Sequence, residues 1–179
     1  SVVAAGHLGA GTIVAFGHGG YLTRETLEKA DGRRFIANCV RFAAHDPKRK
    51  VRVGVVGGQP DFREFLEELE FDARPATAAG LATKDLDVLF VCDVDRASPE
   101  DLAAYEAYVT RGGGLFVAAT PWGWQQLHPT LSLAADLPGN ALLMKAGLAW
   151  VEGTVGTTAS KGFATGELPE TVNASRALD

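Results

Sequence analysis

The chain has 179 residues, of which 46% are hydrophobic, and its 17 basic and 22 acidic residues give a net charge of −5. This length suits one compact domain with a less regular tail and is too short for two well-packed domains. The charge offers no basic surface to nucleic acid or to an anionic membrane, and no apolar run approaches the roughly 20 residues of a membrane-spanning helix. The two cysteines are too few for a disulfide-stapled scaffold and lack metal-ligand spacing.

Strand and helix signals alternate along the chain, which predicts an α/β fold: a doubly wound, mostly parallel sheet with helices on both faces. Strands are predicted at 12–16, 51–56 and 88–92 and directly after the glycines at 112–114, with a weaker strand at 73–77. Helices are predicted within 23–44, where Asp31 could cap a second segment, and over 62–69. Ser98 and Pro99 begin a further helix, which the glycines at 112–114 end.

The pattern weakens after a predicted tight aromatic corner at 120–124. Pro138-Gly139-Asn140 predicts a turn, and 141–150 a short apolar element. We therefore assign 1–150 to the α/β domain and 151–179, rich in Gly, Thr and Ser, to an edge element or a linker toward a missing neighbouring domain. The chain begins at Ser1 without a leader, so we expect a piece of a longer protein whose targeting signals lie elsewhere.

Chemically useful side chains follow several of the predicted strands. Ligands of doubly wound sheets bind outside the carboxyl ends of the strands, so these residues could converge on one pocket. They supply glycine amides, an imidazole, two carboxylates, a hydroxyl and two indoles. The candidate pocket residues are Gly17, His18, Gly19, Gly57, Gly58, Gln59, Asp93, Asp95, Thr120, Trp122 and Trp124.

The glycines and acids of this set have structural interpretations as well as functional ones. Gly57 and Gly58 lack the spacing of a dinucleotide or phosphate loop, which favours a tight turn over a phosphate cradle. Asp93 and Asp95 are more typical of loop acids, one of them bonded to turn amides, than of an acid–base pair.

The three ring-bearing residues of the set, His18, Trp122 and Trp124, are stronger candidates for ligand contact. His18, flanked by glycines at a strand exit, is the best single candidate. Trp122 and Trp124 either cover the sheet edge or stack on a ligand. By contrast, the helical spacing around Cys39 predicts that its thiol faces the core and is inert, and we expect Cys92 to be buried too.

Four separated patches between Gly6 and Trp150 carry a family resemblance: GHGGYLT at 17–23, RRFIANCVRF at 33–42, TPWGWQ at 120–125 and LPGN at 137–140. In this order they resemble the amino-terminal domain of the TCAF channel-associated factors, whose bacterial relatives precede an enhancin-like zinc peptidase domain. The resemblance implies a class I glutamine-amidotransferase-like fold, a flavodoxin-like three-layer sandwich that is similar also to the ThuA group.

The chain departs from the amidotransferases at the nucleophile. Those enzymes carry a Cys on a strained G-x-C-x-G turn, with His and Glu farther along, whereas residues 118–122 here read AATPW. Thr120 has no visible activating base, and His128 is followed by Pro129 and Thr130 rather than by the acid pattern. The HExxH signature of the neighbouring peptidase is absent from this chain, so zinc hydrolysis is not assigned to it.

The sequence thus favours a catalytically silent, amidotransferase-like module without a cofactor. It would act as a binding or interaction domain of a larger protein, such as one with a zinc-peptidase domain. Its expected partners are other domains of the same polypeptide, or a glycan, peptide or protein. Two alternatives stay open: a hydrolase that uses His18 with Asp93 or Asp95, and a small-ligand sensor that closes on a sugar or peptide through Trp122 and Trp124.

Overall fold

The computed structural model of the protein describes residues 2–45, 48–82, 85–153, 155–157, 159–160 and 162. Six strands form one sheet: Val3–Leu8 (β1), Gly11–Phe16 (β2), Arg52–Val56 (β3), Asp72–Pro75 (β4), Val88–Val91 (β5) and Gly114–Ala118 (β6). Their order is β1-β2-β6-β5-β3-β4. β1 pairs antiparallel with β2, and every other neighbouring pair is parallel.

Helices connect the strands across both faces of this sheet. The α-helices of the described residues are Arg24–Leu27 (α1), Gly32–Ala43 (α2), Pro60–Glu68 (α3), Pro99–Thr110 (α4), Pro121–Leu127 (α5), Leu133–Asp136 (α6) and Pro138–Met144 (α7). Short 3-10 helices span Gly19–Leu22, Ala78–Gly80 and Val94–Arg96.

Two apolar clusters hold the layers together. On one face, α1 to α3 pack against the sheet around Phe90 and Phe116, whose rings stack at 4.3 Å. On the other face, α4 to α7 pack around Leu89 and Leu115. The prediction of a doubly wound, mostly parallel α/β sheet with helices on both faces is therefore confirmed.

The local signals at α4 explain its position. Ser98 accepts a hydrogen bond from Asp101 N–H at 3.1 Å and the Asp101 carboxylate accepts one from Ser98 N–H at 3.1 Å, which forms a capping box. After the helix, Gly112 has a φ of +108°, a backbone conformation that is sterically unfavourable for residues with a Cβ atom. A Cβ on Gly113 would lie 2.3 Å from the Tyr108 ring, so this glycine lets the helix end pack closely against the strand.

The structure corrects the predictions around several elements. Residues 138–140 are the first turn of α7 rather than a loop, because Pro138 occupies a first-turn position where its missing N–H costs nothing. Pro121 begins α5 in the same way, so 120–124 is not a tight corner. Asp31 precedes α2 but its side chain makes no capping hydrogen bond.

The edges of the domain add two further facts. β1 forms one edge of the sheet and β4 forms the other. Trp150 is buried, and its indole Nε1 donates to the Phe16 carbonyl at 3.0 Å, at the end of β2. Much of the predicted edge element or linker at 151–179 lies outside the described residues.

Candidate functional site

The carboxyl ends of β2, β5 and β6 surround a cavity of about 370 Å³, which we call the strand-end cleft. β5 and β6 lead to helices on one face of the sheet, whereas β2 leads to helices on the other. Adjacent strands whose chains leave toward opposite faces open a crevice at that edge. Of the eleven candidate residues, Gly19, Asp93, Asp95, Thr120 and Trp124 line this cleft.

Thr120 is the residue that the sequence analysis compared with the amidotransferase nucleophile. It follows β6 and precedes Pro121, and its side chain makes no capping hydrogen bond to α5. Within the described ranges, no hydrogen bond joins its hydroxyl to an imidazole or a carboxylate. A hydroxyl without such a base is a poor nucleophile at neutral pH.

Asp93 closes the glycine turn after β3. Gly57 and Gly58 have φ values of +68° and +80°, and the Gly58 N–H points at Asp93 Oδ2 at 3.5 Å. A Cβ on Gly57 would lie 2.9 Å from the same oxygen. The Asp93 carboxylate thus occupies the space beside the Gly58 N–H, where a bound anion would otherwise accept from that amide.

Burial raises the pKa values of two other groups that line the cleft, Asp95 and Cys92. Desolvation, followed by the charge of Asp93, raises the pKa of Asp95 above its ordinary value. The same two causes raise the pKa of the buried Cys92 thiol to about 12. Cys92 is therefore a thiol rather than a thiolate at neutral pH and is unsuited to nucleophilic attack.

The cleft also contains residues that the sequence analysis did not include among the candidates. Arg96 follows Asp95 on the 3-10 helix, Leu127 is the last residue of α5, and His128 comes directly after it. The His128 and Trp124 rings lie 4.6 Å apart, the separation of i and i+4 neighbours on a helix. If 121–127 had been predicted as a helix, the i, i+4 spacing from Trp124 would have placed His128 beside Trp124 in the cleft.

A second cavity, of about 430 Å³, lies on the other side of the α5 amino terminus, and we call it the aromatic groove. His18, Trp122 and Gly17 line it, together with Tyr21 and residues 148–153. The His18 ring lies 6.2 Å from Trp122 at an interplanar angle of 23° and 5.8 Å from Tyr21. The His18 ring therefore neighbours the rings of both Tyr21 and Trp122 in this groove.

One hydrogen bond fixes the tautomer of His18. Its Nδ1 accepts from Gly20 N–H at 2.8 Å, so Nδ1 carries no proton and the neutral ring keeps its proton on Nε2. His18 and the acids Asp93 and Asp95 line different cavities. That separation disfavours the hydrolase in which they act together.

The eleven candidate residues thus divide between two cavities instead of lining one. Gly57, Gly58 and Gln59 line neither the cleft nor the groove, and Gln59 is exposed before α3. Within the described part of the chain, no group of three or more His, Cys, Asp or Glu side chains is placed to hold a metal ion. No helix in the described residues has the length and apolar character needed to cross a membrane.

Comparisons with solved structures bear on the fold. The chain is similar to a structure described as "IMPa metallopeptidase in complex with T-antigen", with a TM-score of 0.55 and 19% identity. That match covers 83% of this chain and 16% of the other chain. At this identity the likeness concerns the architecture of the domain alone.

Comparisons of sequence identify relatives. The chain is 30% identical over 160 residues to a TRPM8 channel-associated factor homolog of Danio rerio, which covers 87% of this chain and 16% of that protein. It is 30% identical over 147 residues to human TRPM8 channel-associated factor 1, covering 82% of this chain and 14% of that protein. The chain thus spans about a sixth of the length of these relatives. Since the family model described as "TRPM8, N-terminal domain" (TCAF_N) matches residues 1–163, the chain belongs to the TCAF N-terminal domain family.

Proposed function

We propose that this domain is a non-catalytic binding module with an amidotransferase-like scaffold, part of a longer polypeptide. The observation that carries the proposal is the chemistry at Thr120. The nucleophile position holds a hydroxyl to which, among the described residues, no base is hydrogen-bonded. The domain keeps the strand-end cleft of its fold without an activated nucleophile in it.

The thiols support the same conclusion. Cys92 lines the cleft, yet burial raises its pKa to about 12. Cys39 lies on α2, away from the cleft, and burial raises its pKa to about 11. Neither cysteine has the lowered pKa of a catalytic thiol.

The relatives support binding to protein partners. Their names describe association with a channel, and the chain matches only about a sixth of their length. We propose that the cleft and the groove serve contacts with other domains of the same polypeptide or with a separate protein. We further propose that 1–150 forms the domain and that 151–179 leads toward its neighbour.

Turnover and covalent labelling test the absence of catalysis. The domain is incubated with glutamine, with a nitrophenyl ester and with acylating electrophiles, and its intact mass is then measured. We expect no ammonia or nitrophenol above the buffer rate and no adduct on Thr120. An acyl adduct in the wild-type domain that is missing from Thr120→Val would overturn the proposal.

Protection of backbone amides tests the binding role. Hydrogen exchange of α5 is compared between the isolated domain and the longer polypeptide that contains it. Coverage of the strand ends by a neighbouring domain should slow exchange in α5 and leave α3 unchanged. Equal exchange of α5 in both samples would contradict the proposed contact within the polypeptide.

A further inference from the structure

The aromatic groove has a chemical character of its own. Its floor is the buried Trp150, while Trp122 stands at the rim with 47% of its surface exposed. Indoles are enriched where one face packs and the other remains wet. An exposed indole beside a concave surface offers its ring face to a ligand.

Among the described residues, the groove carries an acidic side chain and no basic Lys or Arg side chain. Glu152 is a lining residue, and the described lining residues include neither Lys nor Arg. The Nδ1 of His18 accepts the Gly20 N–H, so this nitrogen presents no proton to the groove. The whole chain has a net charge of −5. The groove therefore complements a positively charged group.

The aromatic rings strengthen that preference. The faces of Trp and Tyr rings attract cations that lie within about 6 Å of the ring centre. Tyr21, His18 and Trp122 stand with neighbouring centroids 5.8 and 6.2 Å apart, so one cation could contact more than one ring. The exposed Val151 and Val155 at the rim suit the aliphatic part of a long basic side chain.

From this juxtaposition we propose that the aromatic groove binds an arginine side chain from an exposed segment of a protein partner, stacked on Trp122 and paired with Glu152. Arginine fits better than lysine because its planar guanidinium stacks on aromatic rings and forms hydrogen bonds in the ring plane. The inference rests on the proposed binding role and names the partner chemistry of one of its two cavities.

Calorimetric titration with a matched peptide pair tests the proposal. The probe is a capped Gly-Ser-Arg-Ser-Gly peptide, and its partner carries citrulline, which has nearly the same shape without the charge. We expect saturable binding of the arginine peptide with a Kd of about 1 mM or tighter and at least tenfold weaker binding of the citrulline peptide. Equal binding of the two peptides, or no arginine binding at about 5 mM, would overturn the inference.

Variants locate the binding. Trp122→Ala should weaken it at least tenfold and Trp122→Phe less, because the indole is the best cation-binding ring. Glu152→Gln should weaken it severalfold, as expected for a solvent-exposed ion pair. Phe42→Ala is the matched control, since Phe42 is also an exposed aromatic residue, with 58% of its surface accessible, and it lines neither cavity. Circular dichroism verifies that each variant is folded.

The remaining outcomes are also decisive. Arginine binding that survives Trp122→Ala unchanged rejects the groove as its location. Saturable binding of a neutral disaccharide without arginine binding rejects the partner chemistry. Either result leaves the non-catalytic proposal intact, because that proposal is tested separately by turnover and by covalent labelling of Thr120.

Discussion

Asn140 and Trp150 are joined by two buried hydrogen bonds across ten residues. Asn140 Nδ2 donates to the Trp150 carbonyl at 2.9 Å, and the Trp150 N–H donates to Asn140 Oδ1 at 2.8 Å. Asn140 Nδ2 also donates to the Leu133 carbonyl at 2.7 Å, and the side chain is fully buried. One amide therefore satisfies three backbone groups that would otherwise be buried without partners.

Replacement of this amide should be costly. Asn140→Ala leaves those backbone groups unsatisfied, so we expect the free energy of unfolding to fall by about 3 kcal/mol. Urea denaturation followed by circular dichroism measures the change. Asn38→Ala, at an exposed position of α2, is the control and should change stability by less than about 0.5 kcal/mol. Similar effects of the two substitutions would contradict the role given to Asn140.

Gly139 tests the packing around the same tryptophan. A Cβ at this position would lie 2.4 Å from Trp150 Cζ3 and 3.0 Å from Val94 Cγ1. Gly139→Ala should therefore destabilise the domain by about 1–3 kcal/mol, despite the better helix propensity of alanine. Gly156→Ala meets nothing within 4 Å and should be nearly neutral. Thermal melting of both variants provides the comparison.

The assignment of 1–150 to the domain remains a prediction that truncation can check. Trp150 is buried and donates to Phe16, whereas Val151 is 73% exposed. A chain that ends at Glu152 should keep the wild-type melting temperature within a few degrees. A chain that ends at Ala149 loses the indole and should be at least about 3 kcal/mol less stable. Equal stability of the two chains would show that the boundary lies earlier.

Asp87, at the opposite end of the sheet from the cleft, should make stability depend on acid. Burial alone would raise its pKa, but hydrogen bonds from Arg52 and Arg49 outweigh burial and lower it from 3.8 to about 2. Its ionised form thus stabilises the fold above about pH 4, and the contribution disappears as the pH falls toward 2. The shift corresponds to about 2 kcal/mol.

Asp87→Asn removes this contribution. The wild-type domain should lose about 2 kcal/mol more than the variant when unfolding is measured at pH 2 instead of pH 6. Asp61→Asn, at an exposed residue in the first turn of α3, should follow the wild-type profile. Parallel profiles for wild type and Asp87→Asn would contradict the assignment.

The two cysteines should react slowly in the folded protein. Burial raises the pKa of Cys39 from 9.0 to about 11, and burial and the charge of Asp93 raise that of Cys92 to about 12. At pH 8 the thiolate fraction is then lower by about 100-fold and about 1,000-fold than that of an unshifted thiol. Iodoacetamide alkylation should accelerate by at least these factors in urea. Rapid labelling of either thiol in the native protein would contradict the expectation.

Local signals predicted the central elements well. The apolar run of β5 and the cap and proline before α4 act through nearest neighbours, so they can be read without the fold. The bounds of β1 were not predicted, because Val3–Leu8 contains small residues and a glycine, which weaken the strand pattern. Cys39 is only partly buried, although it does pack against the core as its helical spacing predicted.

The site was harder to predict because one segment was assigned the wrong geometry. With a tight corner at 120–124, Trp122 and Trp124 were both expected at one pocket. In α5 they are separated by about 200° around the helix axis and line different cavities. The placement of His18 apart from Asp93 depends on how the loops after β2 and β5 pack, which sequence spacing does not reveal.

The three tryptophans lie at three different places in the fold, so their intrinsic fluorescence can report on each place separately. Trp122 reports on the aromatic groove, Trp124 on the strand-end cleft and Trp150 on the closure of the chain against β2. Only Trp122 is substantially exposed, so iodide or acrylamide should quench mainly its emission. Replacing two indoles at a time with phenylalanine would give three single-tryptophan proteins, each with an emission spectrum assigned to one place in the fold.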